Sequence, residues 1–162
     1  MTVKQQIEQE LARLAAANPT GTEPLPFSLP VDAGTLDAAM TAVDSIACAF
    51  AHLSLVTDRL ADATREHLQA VGEQLAARLN YLLEPIGVVE VDPRNLIVQL
   101  RSTPPQRDEN GSAYYELLVK RGGEVRLTRY AKATGAARTP IPACVTREVF
   151  CRLAEDFSAA LS

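Results

Sequence analysis

Apolar side chains recur at helical spacing along a proline-free stretch of the chain, from Thr35 to Leu83. They advance in steps of three and four residues, which keeps them on one side of a helix. The stripe consists of Leu36, Met40, Val43, Ala47, Phe50, Ser54, Thr57, Leu60, Thr64, Leu68, Val71, Leu75, Leu79 and Leu82. The pattern predicts one long helix within residues 32–84, with Asp32 or Thr35 as its N-cap and Pro85 beyond its end.

The middle of this predicted helix is apolar almost all round, between Ile46 and Val56. We expect this section to be the buried centre of the structure, covered on more than one side. A straight helix of this length would span roughly 75 Å, which is longer than a compact domain of this size. The helix therefore projects or bends, and Thr57, Thr64 and Gly72 are the places where a bend is expected.

A surplus apolar stripe on such a helix favours self-association, with a dimer as the first expectation. The leading apolar column drifts by one heptad position along the helix, so packing in a bundle or against a short symmetric partner is favoured over a continuous coiled coil. The residues predicted to form the self-association surface are Ile46, Phe50, Leu53 and Leu60.

Two further helices and a connector are predicted outside the long helix. Residues 3–17 show an amphipathic pattern and predict a short helix. The proline-rich segment Asn18–Pro30 predicts an extended strap docked on the long helix, or alternatively a ligand for an aromatic groove of another protein. A last helix is predicted to start at Thr146 as N-cap, with Val145 and Phe150 forming a hydrophobic staple.

Between Pro85 and the last helix the apolar period changes from helical to strand-like. Four strands are predicted, joined as two hairpins: Ile86–Val91, Leu96–Arg101, Ala113–Arg121 and Glu124–Ala131. The first hairpin turns at Asp92-Pro93-Arg94-Asn95, and the second at a two-residue turn, Gly122-Gly123. The two-residue turn would place Glu116 opposite Arg129 and Leu118 opposite Leu127.

The sequence therefore predicts an α+β fold: an N-terminal helix and proline-rich strap, a long helix that is straight or bent, a four-stranded antiparallel β-meander, and a C-terminal helix packed on the sheet. The corresponding divisions are residues 1–31, 32–84 and 85–162. The chain has 162 residues and is 47% hydrophobic, which is sufficient for an ordinary core.

Composition and charge favour a cytoplasmic, non-membrane protein. The N-terminus, MTVKQQIEQE, lacks the basic start and apolar run of a signal peptide. The most apolar window carries Asp37, Asp44 and His52, which argues against membrane insertion. Three cysteines without paired spacing fit a reducing compartment.

The net charge of −4 is unevenly distributed, because bases outnumber acids between Arg94 and Arg138. A basic sheet carrying tyrosines can hold phosphates and stack bases. The order of four antiparallel strands followed by a helix also resembles, in topology, single-stranded-DNA binders of the Whirly and transcriptional-coactivator type, which implies nucleic-acid binding by the sheet. The residues predicted for such a partner or nucleic-acid surface are Arg101, Arg107, Tyr115, Arg126 and Tyr130. The alternative, which the acidic isoelectric point favours, is that Glu116 pairs with Arg129 while the tyrosines cover a core.

Candidate catalytic and metal-binding groups are sparse. Cys48 and His52 stand four residues apart, and Cys144 and Cys151 could complete a tetrahedral metal site, but packing of small apolar side chains explains the cysteines equally well. His67 beside Glu66 has no nucleophile tied to it by sequence. The acidic residues of the long segment lie on its polar side, where solvation explains them: Asp58, Asp62, Glu66 and Glu73.

Phosphate loops, dinucleotide-binding glycines, zincin motifs and nucleophile elbows do not occur as sequence patterns. We therefore predict a non-catalytic binding or scaffolding protein that self-associates through its long helix, with no cofactor and no metal. Single-stranded nucleic-acid binding by the basic sheet is the alternative, and an enzyme with a dispersed site is the second alternative.

Overall fold

The computed structural model describes residues 1–17 and 23–161. Its elements in chain order are α1 (Val3–Ala17), β1 (Leu25–Val31), β2 (Gly34–Val43), β3 (Ala47–Val56), α2 (Arg65–Arg78), a short 3-10 helix (Leu79–Leu82), β4 (Ile86–Asp92), β5 (Ile97–Ser102), β6 (Gln106–Asp108), β7 (Gly111–Lys120), β8 (Glu124–Ala133), β9 (Thr139–Ile141), β10 (Ala143–Thr146) and α3 (Arg147–Ala159). None of the helices in the described ranges combines the length and the apolar character needed to cross a membrane.

The described strands form one antiparallel sheet of 10 strands with the main order β1-β2-β3-β8-β7-β5-β4. The short strands β10, β6 and β9 add to β3, β7 and β8. Helix α1 packs on β1 and β2, α2 on β4, β5 and β7, and α3 on β2, β3 and β10. Buried residues of all three helices belong to one core cluster with the strands, so the helices share one face of the sheet and leave the opposite face open.

The predicted long helix is wrong, because its first half forms the hairpin of β2 and β3. In β2, Leu36, Ala38 and Met40 are buried at every second position, which is the strand period. Leu36, Met40 and Val43 fit the helical period equally well, and the many alanines fit both. Strand β3 is an interior strand, paired with β2 on one side and with β8 and β10 on the other, and it is buried in two runs, residues 48–50 and 53–55.

The turn between β2 and β3 contains neither glycine nor proline. Because these residues are the usual turn signals, the sequence pattern predicted no turn at this point. The Asp44 carboxylate accepts hydrogen bonds from the backbone N–H groups of Ile46 and Ala47, both at 2.8 Å. These bonds close an Asx-type turn and lower the pKa of Asp44 below its usual value. A short polar side chain thus supplies the chain reversal.

Two of the three predicted break points mark true element boundaries. Strand β3 ends just before Thr57, and Thr64 caps α2 by accepting a hydrogen bond from the backbone N–H of His67. Gly72 lies inside α2 and brings the helix against β5, where a Cβ would approach Leu100 Cδ1 to 2.8 Å. The helical part of the predicted segment therefore shrinks to α2 and the 3-10 helix.

The predicted strap and four-stranded meander are also wrong. Residues 25–31 of the strap form β1, which pairs with β2 along its whole length, and Asn18–Thr22 lie outside the described residues. The meander is one half of a larger sheet, joined to the first half by pairing of β3 with β8. The topological resemblance to single-stranded-DNA binders loses its basis with the meander, and only the mixed α+β class of the predicted fold holds.

Four local predictions are confirmed. Helix α1 spans the predicted residues 3–17, and both hairpins form where they were expected. Helix α3 follows Thr146, whose hydroxyl accepts a hydrogen bond from the backbone N–H of Val149 at 3.1 Å. Its predicted apolar stripe is buried: Phe150, Leu153, Phe157 and Leu161.

The second hairpin differs from its prediction by one residue of register. Lys120 pairs with Glu124, so the loop has three residues rather than two, and Glu116 faces Thr128 instead of Arg129. A shift of one residue exchanges the two faces of one strand relative to the other. As a result Tyr114, and not Tyr115, stands opposite Tyr130.

Candidate functional site

The residues predicted for self-association lie in two different environments. Phe50, Leu53 and Leu60 are at most 1% exposed and pack within the core of their own chain. Ile46 is 73% exposed in the turn between β2 and β3. Only Ile46 is therefore free to contact another molecule.

The residues predicted for a nucleic-acid surface are not brought together. Tyr115 is buried on the helix-covered face, where the Arg129 guanidinium carbon lies 4.5 Å from its ring centroid. Arg107 lies on the exposed strand β6, and Arg126 lies 3.5 Å from a Glu124 carboxylate oxygen. Arg101, Arg126 and Tyr130 do share the open face, because their cross-strand partners occupy alternate positions of β7.

A layered cluster of arginines and tyrosines occupies the open face. The guanidinium carbon of Arg101 lies 4.5 Å from the ring centroid of Tyr114. The rings of Tyr114 and Tyr130 are 6.0 Å apart, and the guanidinium carbon of Arg138 lies 3.8 Å from the Tyr130 centroid. Cation–π contacts of this kind stabilise both partners and hold the guanidinium groups in place. We call these four residues the open-face cluster.

Glu116 is the buried anion beneath this cluster, with 3% of its surface exposed. It accepts hydrogen bonds from Arg138 at 2.6 Å and from Gln99 at 2.7 Å. Arg101 has no corresponding partner, since its buried Nε makes no hydrogen bond and its side chain forms no ion pair with the described residues. The cluster thus contains one neutralised arginine and one free arginine.

A second surface of interest lies where the 3-10 helix leads into β4. Leu83 is 88% exposed, and Val88 and Val89 are 37% and 50% exposed. Both valines reach solvent at a bulge, where the pairing of β4 with β5 is interrupted between Val88 and Glu90. We call Leu83, Val88 and Val89 the β4 patch.

The β4 patch borders a hollow of about 450 Å³ between the end of α2 and the start of β4. Its walls are mainly apolar, with contributions from Ala76, Leu79, Pro85 and Ile86, and Leu83 also lines it. The carboxylate of Glu84 at this hollow is already engaged by Ser102 and Arg129. Filling the hollow with an apolar group would therefore leave no buried charge without a partner.

The two ends of the sheet differ in their openness to a partner. Strand β1, at one end, contains Pro26 and Pro30, which lack an N–H and so blunt an edge strand. Strand β4, at the other end, contains no proline. The less protected edge thus coincides with the exposed apolar residues.

The candidate metal ligands do not form a site. No group of three or more histidine, cysteine, aspartate or glutamate side chains in residues 1–17 and 23–161 is arranged to hold a metal ion. Cys48 and Cys151 are buried in the core, whereas Cys144 is exposed. Burial raises the pKa of the Cys48 thiol to about 12 and that of Cys151 to about 11.

These environments predict selective alkylation. We expect iodoacetamide at mildly alkaline pH to modify Cys144 in the folded protein and to spare Cys48 and Cys151, because the thiolate is the nucleophile. Mass spectrometry of the intact chain should show one adduct under native conditions and all three in denaturant. In a Cys144→Ser variant the native adduct should disappear. Rapid native modification of Cys48 would contradict the buried position of this strand.

The remaining candidate catalytic groups are solvated. His67 and Glu66 are exposed in the first turn of α2, and Glu73 accepts a hydrogen bond from Gln69 on the same helix surface. Asp58 and Asp62 are exposed in the connection between β3 and α2. The charged face predicted for this part of the chain is confirmed, although it belongs to a loop and a short helix.

Comparison of the chain with protein-family models, with curated proteins and with solved structures gives no significant match.

Proposed function

We propose that this protein is a non-catalytic binding protein that self-associates as a dimer through the β4 patch. The observation that carries the proposal is the exposure of Leu83, Val88 and Val89 beside an apolar hollow at the less protected edge of the sheet. Large apolar side chains that cluster on a surface mark a site of association.

The backbone at Leu83 strengthens this argument. Leu83 has a φ of 63°, a left-handed conformation that branched and bulky residues rarely adopt. Its backbone N–H donates to the carbonyl oxygen of Asn80 at 3.1 Å, which closes the 3-10 helix. The fold thus maintains an unfavourable backbone conformation and presents a leucine to solvent, and such conformations are concentrated at functional sites.

A second copy of the chain fits this surface, because the protruding Leu83 side chain lies next to the hollow that could receive the same side chain of another copy. In a dimer with two-fold symmetry each patch meets its own copy, so a protruding group must find its complement on the same patch. Leu83 of one protomer can enter the hollow between α2 and β4 of its partner, while its own hollow receives the partner's leucine. The same operation brings the valines of the two β4 strands together.

A dimer interface needs only a small part of the protomer surface. A standard interface buries about 800 Å² on each partner, whereas one protomer exposes 8690 Å². Leu83 lines the hollow, and Val88 and Val89 are exposed on β4, the strand that starts at the wall residue Ile86. A bulged edge favours side-chain packing over continued strand pairing.

Molar mass in solution tests the proposal. We expect the wild-type protein to give twice the chain mass of 17.5 kDa by light scattering coupled to size exclusion. A Leu83→Glu variant should give the monomer mass, because a carboxylate in the hollow would be buried without a partner in both halves of the interface. The dissociation constant should rise by about 100-fold or more.

Ile46 offers the matched control, since it is also an exposed apolar residue but lies in a different turn. An Ile46→Glu variant should remain dimeric. Wild-type protein that is monomeric at every concentration would overturn the proposal. Dissociation by Ile46→Glu with retention of the dimer by Leu83→Glu would overturn the β4 patch and favour the surface predicted at Ile46.

A further inference from the structure

A cavity of about 500 Å³ lies on the open face, beside the open-face cluster and away from the β4 patch. It is enclosed by the segment after β5, by β7 and β8, and by the loop between β8 and β9. The polar side chains that line it are Arg101, Thr103, Ser112, Tyr114, Lys132 and Arg138. Three of these six side chains are cations.

The positive charge of this cavity is only partly compensated. Glu116 neutralises Arg138, with which it forms an ion pair at 2.6 Å. Lys132 and Arg101 form no ion pair with any residue in the described ranges. The site therefore carries an excess of about two positive charges, and a cavity wall of low dielectric strengthens its attraction for an anion.

Arg101 has the geometry of an oxyanion receptor. Its guanidinium lies on the Tyr114 ring, so its flat face is occupied while its N–H edge is free. The buried Nε has no hydrogen-bond partner in the described residues, and an unsatisfied buried donor of this kind is destabilising. An oxyanion in the cavity would accept hydrogen bonds from the terminal N–H groups of this guanidinium, which form no hydrogen bond with the described residues.

We propose that this cavity binds a phosphorylated small molecule through its phosphate group. A phosphate dianion matches the excess of about two positive charges, whereas a single carboxylate would neutralise only half of it. The hydroxyl groups of Ser112 and Tyr114 supply further hydrogen bonds to phosphate oxygens, and Lys132 supplies a flexible cation at the exposed side. The volume leaves room for an attached organic group, as in ordinary ligand pockets.

The arrangement of the rings favours a compact ligand over a stacked single strand. Base stacking requires a free aromatic face. A guanidinium already covers one face of Tyr114 and one face of Tyr130, and the two rings lie next to each other at 6.0 Å. The charged edges of the arginines are left as the recognition elements, and these select oxyanions.

Calorimetric titration at low ionic strength, with inorganic phosphate and with pyrophosphate as probes, tests the site. We expect saturable binding of one equivalent, tighter for pyrophosphate. Arg101→Gln and Lys132→Gln should each weaken binding about tenfold or more. Lys132 is exposed and makes no contact within the core, so this variant tests the site without disturbing the fold.

Arg65→Gln is the matched control, because it removes an equal charge from an exposed position in the first turn of α2, on the helix-covered side of the sheet and away from the cavity. Its affinity should equal that of the wild type. The proposal is overturned if the wild type binds neither probe, or if Arg65→Gln weakens binding as much as Arg101→Gln. It is also overturned if a labelled single-stranded oligonucleotide binds, pyrophosphate fails to displace it, and the binding depends on Arg126, since that result would support the nucleic-acid alternative.

Discussion

Replacing Phe150 with alanine is expected to lower the free energy of unfolding by about 3–5 kcal/mol. Phe150 has no exposed surface, and its ring meets Phe27 of β1 and Phe50 of β3 in edge contacts with centroid distances of 5.3 and 5.6 Å. It connects α3 to two strands at once. Truncation would remove these contacts and leave a cavity at the centre of the helix-covered face.

Urea unfolding followed by circular dichroism measures this loss. Phe150→Leu fills most of the volume and should be less destabilising than alanine. Glu148→Ala, in the same helical turn but exposed, should cost at most about 1 kcal/mol. Equal stability of Phe150→Ala and Glu148→Ala would show that α3 does not pack on the sheet as described.

Replacing Gly34 with alanine is expected to lower the free energy of unfolding by about 2–4 kcal/mol, for two combined reasons. The φ of Gly34 is 153°, a value that residues with a side chain rarely adopt. A Cβ at this position would also collide with the carbonyl oxygen of Val56 on the neighbouring strand. The clash involves backbone where β2 begins and β3 ends, so no side-chain rotation relieves it.

Gly122→Ala separates these two contributions. Gly122 also has a positive φ, of 97°, but an added Cβ would meet nothing within 4 Å. The free energy of unfolding of this variant should therefore fall by only about 1 kcal/mol, because of the backbone conformation alone. Thermal or urea unfolding of both variants gives the comparison, and a Gly34→Ala variant no less stable than Gly122→Ala would contradict the close approach of β2 to β3.

The candidate surfaces were accessible to sequence reasoning only in part. Arg101 and Tyr130 were identified from the excess of bases and the alternating pattern, and both lie in or beside the open-face cluster. Tyr114 was missed because a three-residue loop replaces the predicted two-residue turn, which exchanges the faces of two adjacent tyrosines. Arg138 was missed because its contact with Glu116 depends on how a loop folds over the sheet.

The β4 patch could not be predicted from the sequence for a different reason. Leu83 directly follows Leu82, the last residue of the predicted apolar stripe, so the pattern assigns it only to the end of the predicted helix. Its exposure results from the left-handed backbone at this one residue, which turns the chain into β4. A pattern of residue types carries no information about such a local reversal unless glycine or asparagine marks it.

The sequence by itself determined the elements whose signals are local. Thr146 and the stripe that follows it define α3, and turn-forming residues define the two hairpins after Pro85, because caps and turns act over a few neighbouring residues. Only the tertiary structure decided the state of residues 34–56. Their alanine-rich pattern fits a helix and a strand equally well, and pairing of β3 with a strand on each side makes the strand the state in which its backbone groups are paired. The same long-range pairing determines which tyrosine faces the open side and which apolar residues remain exposed.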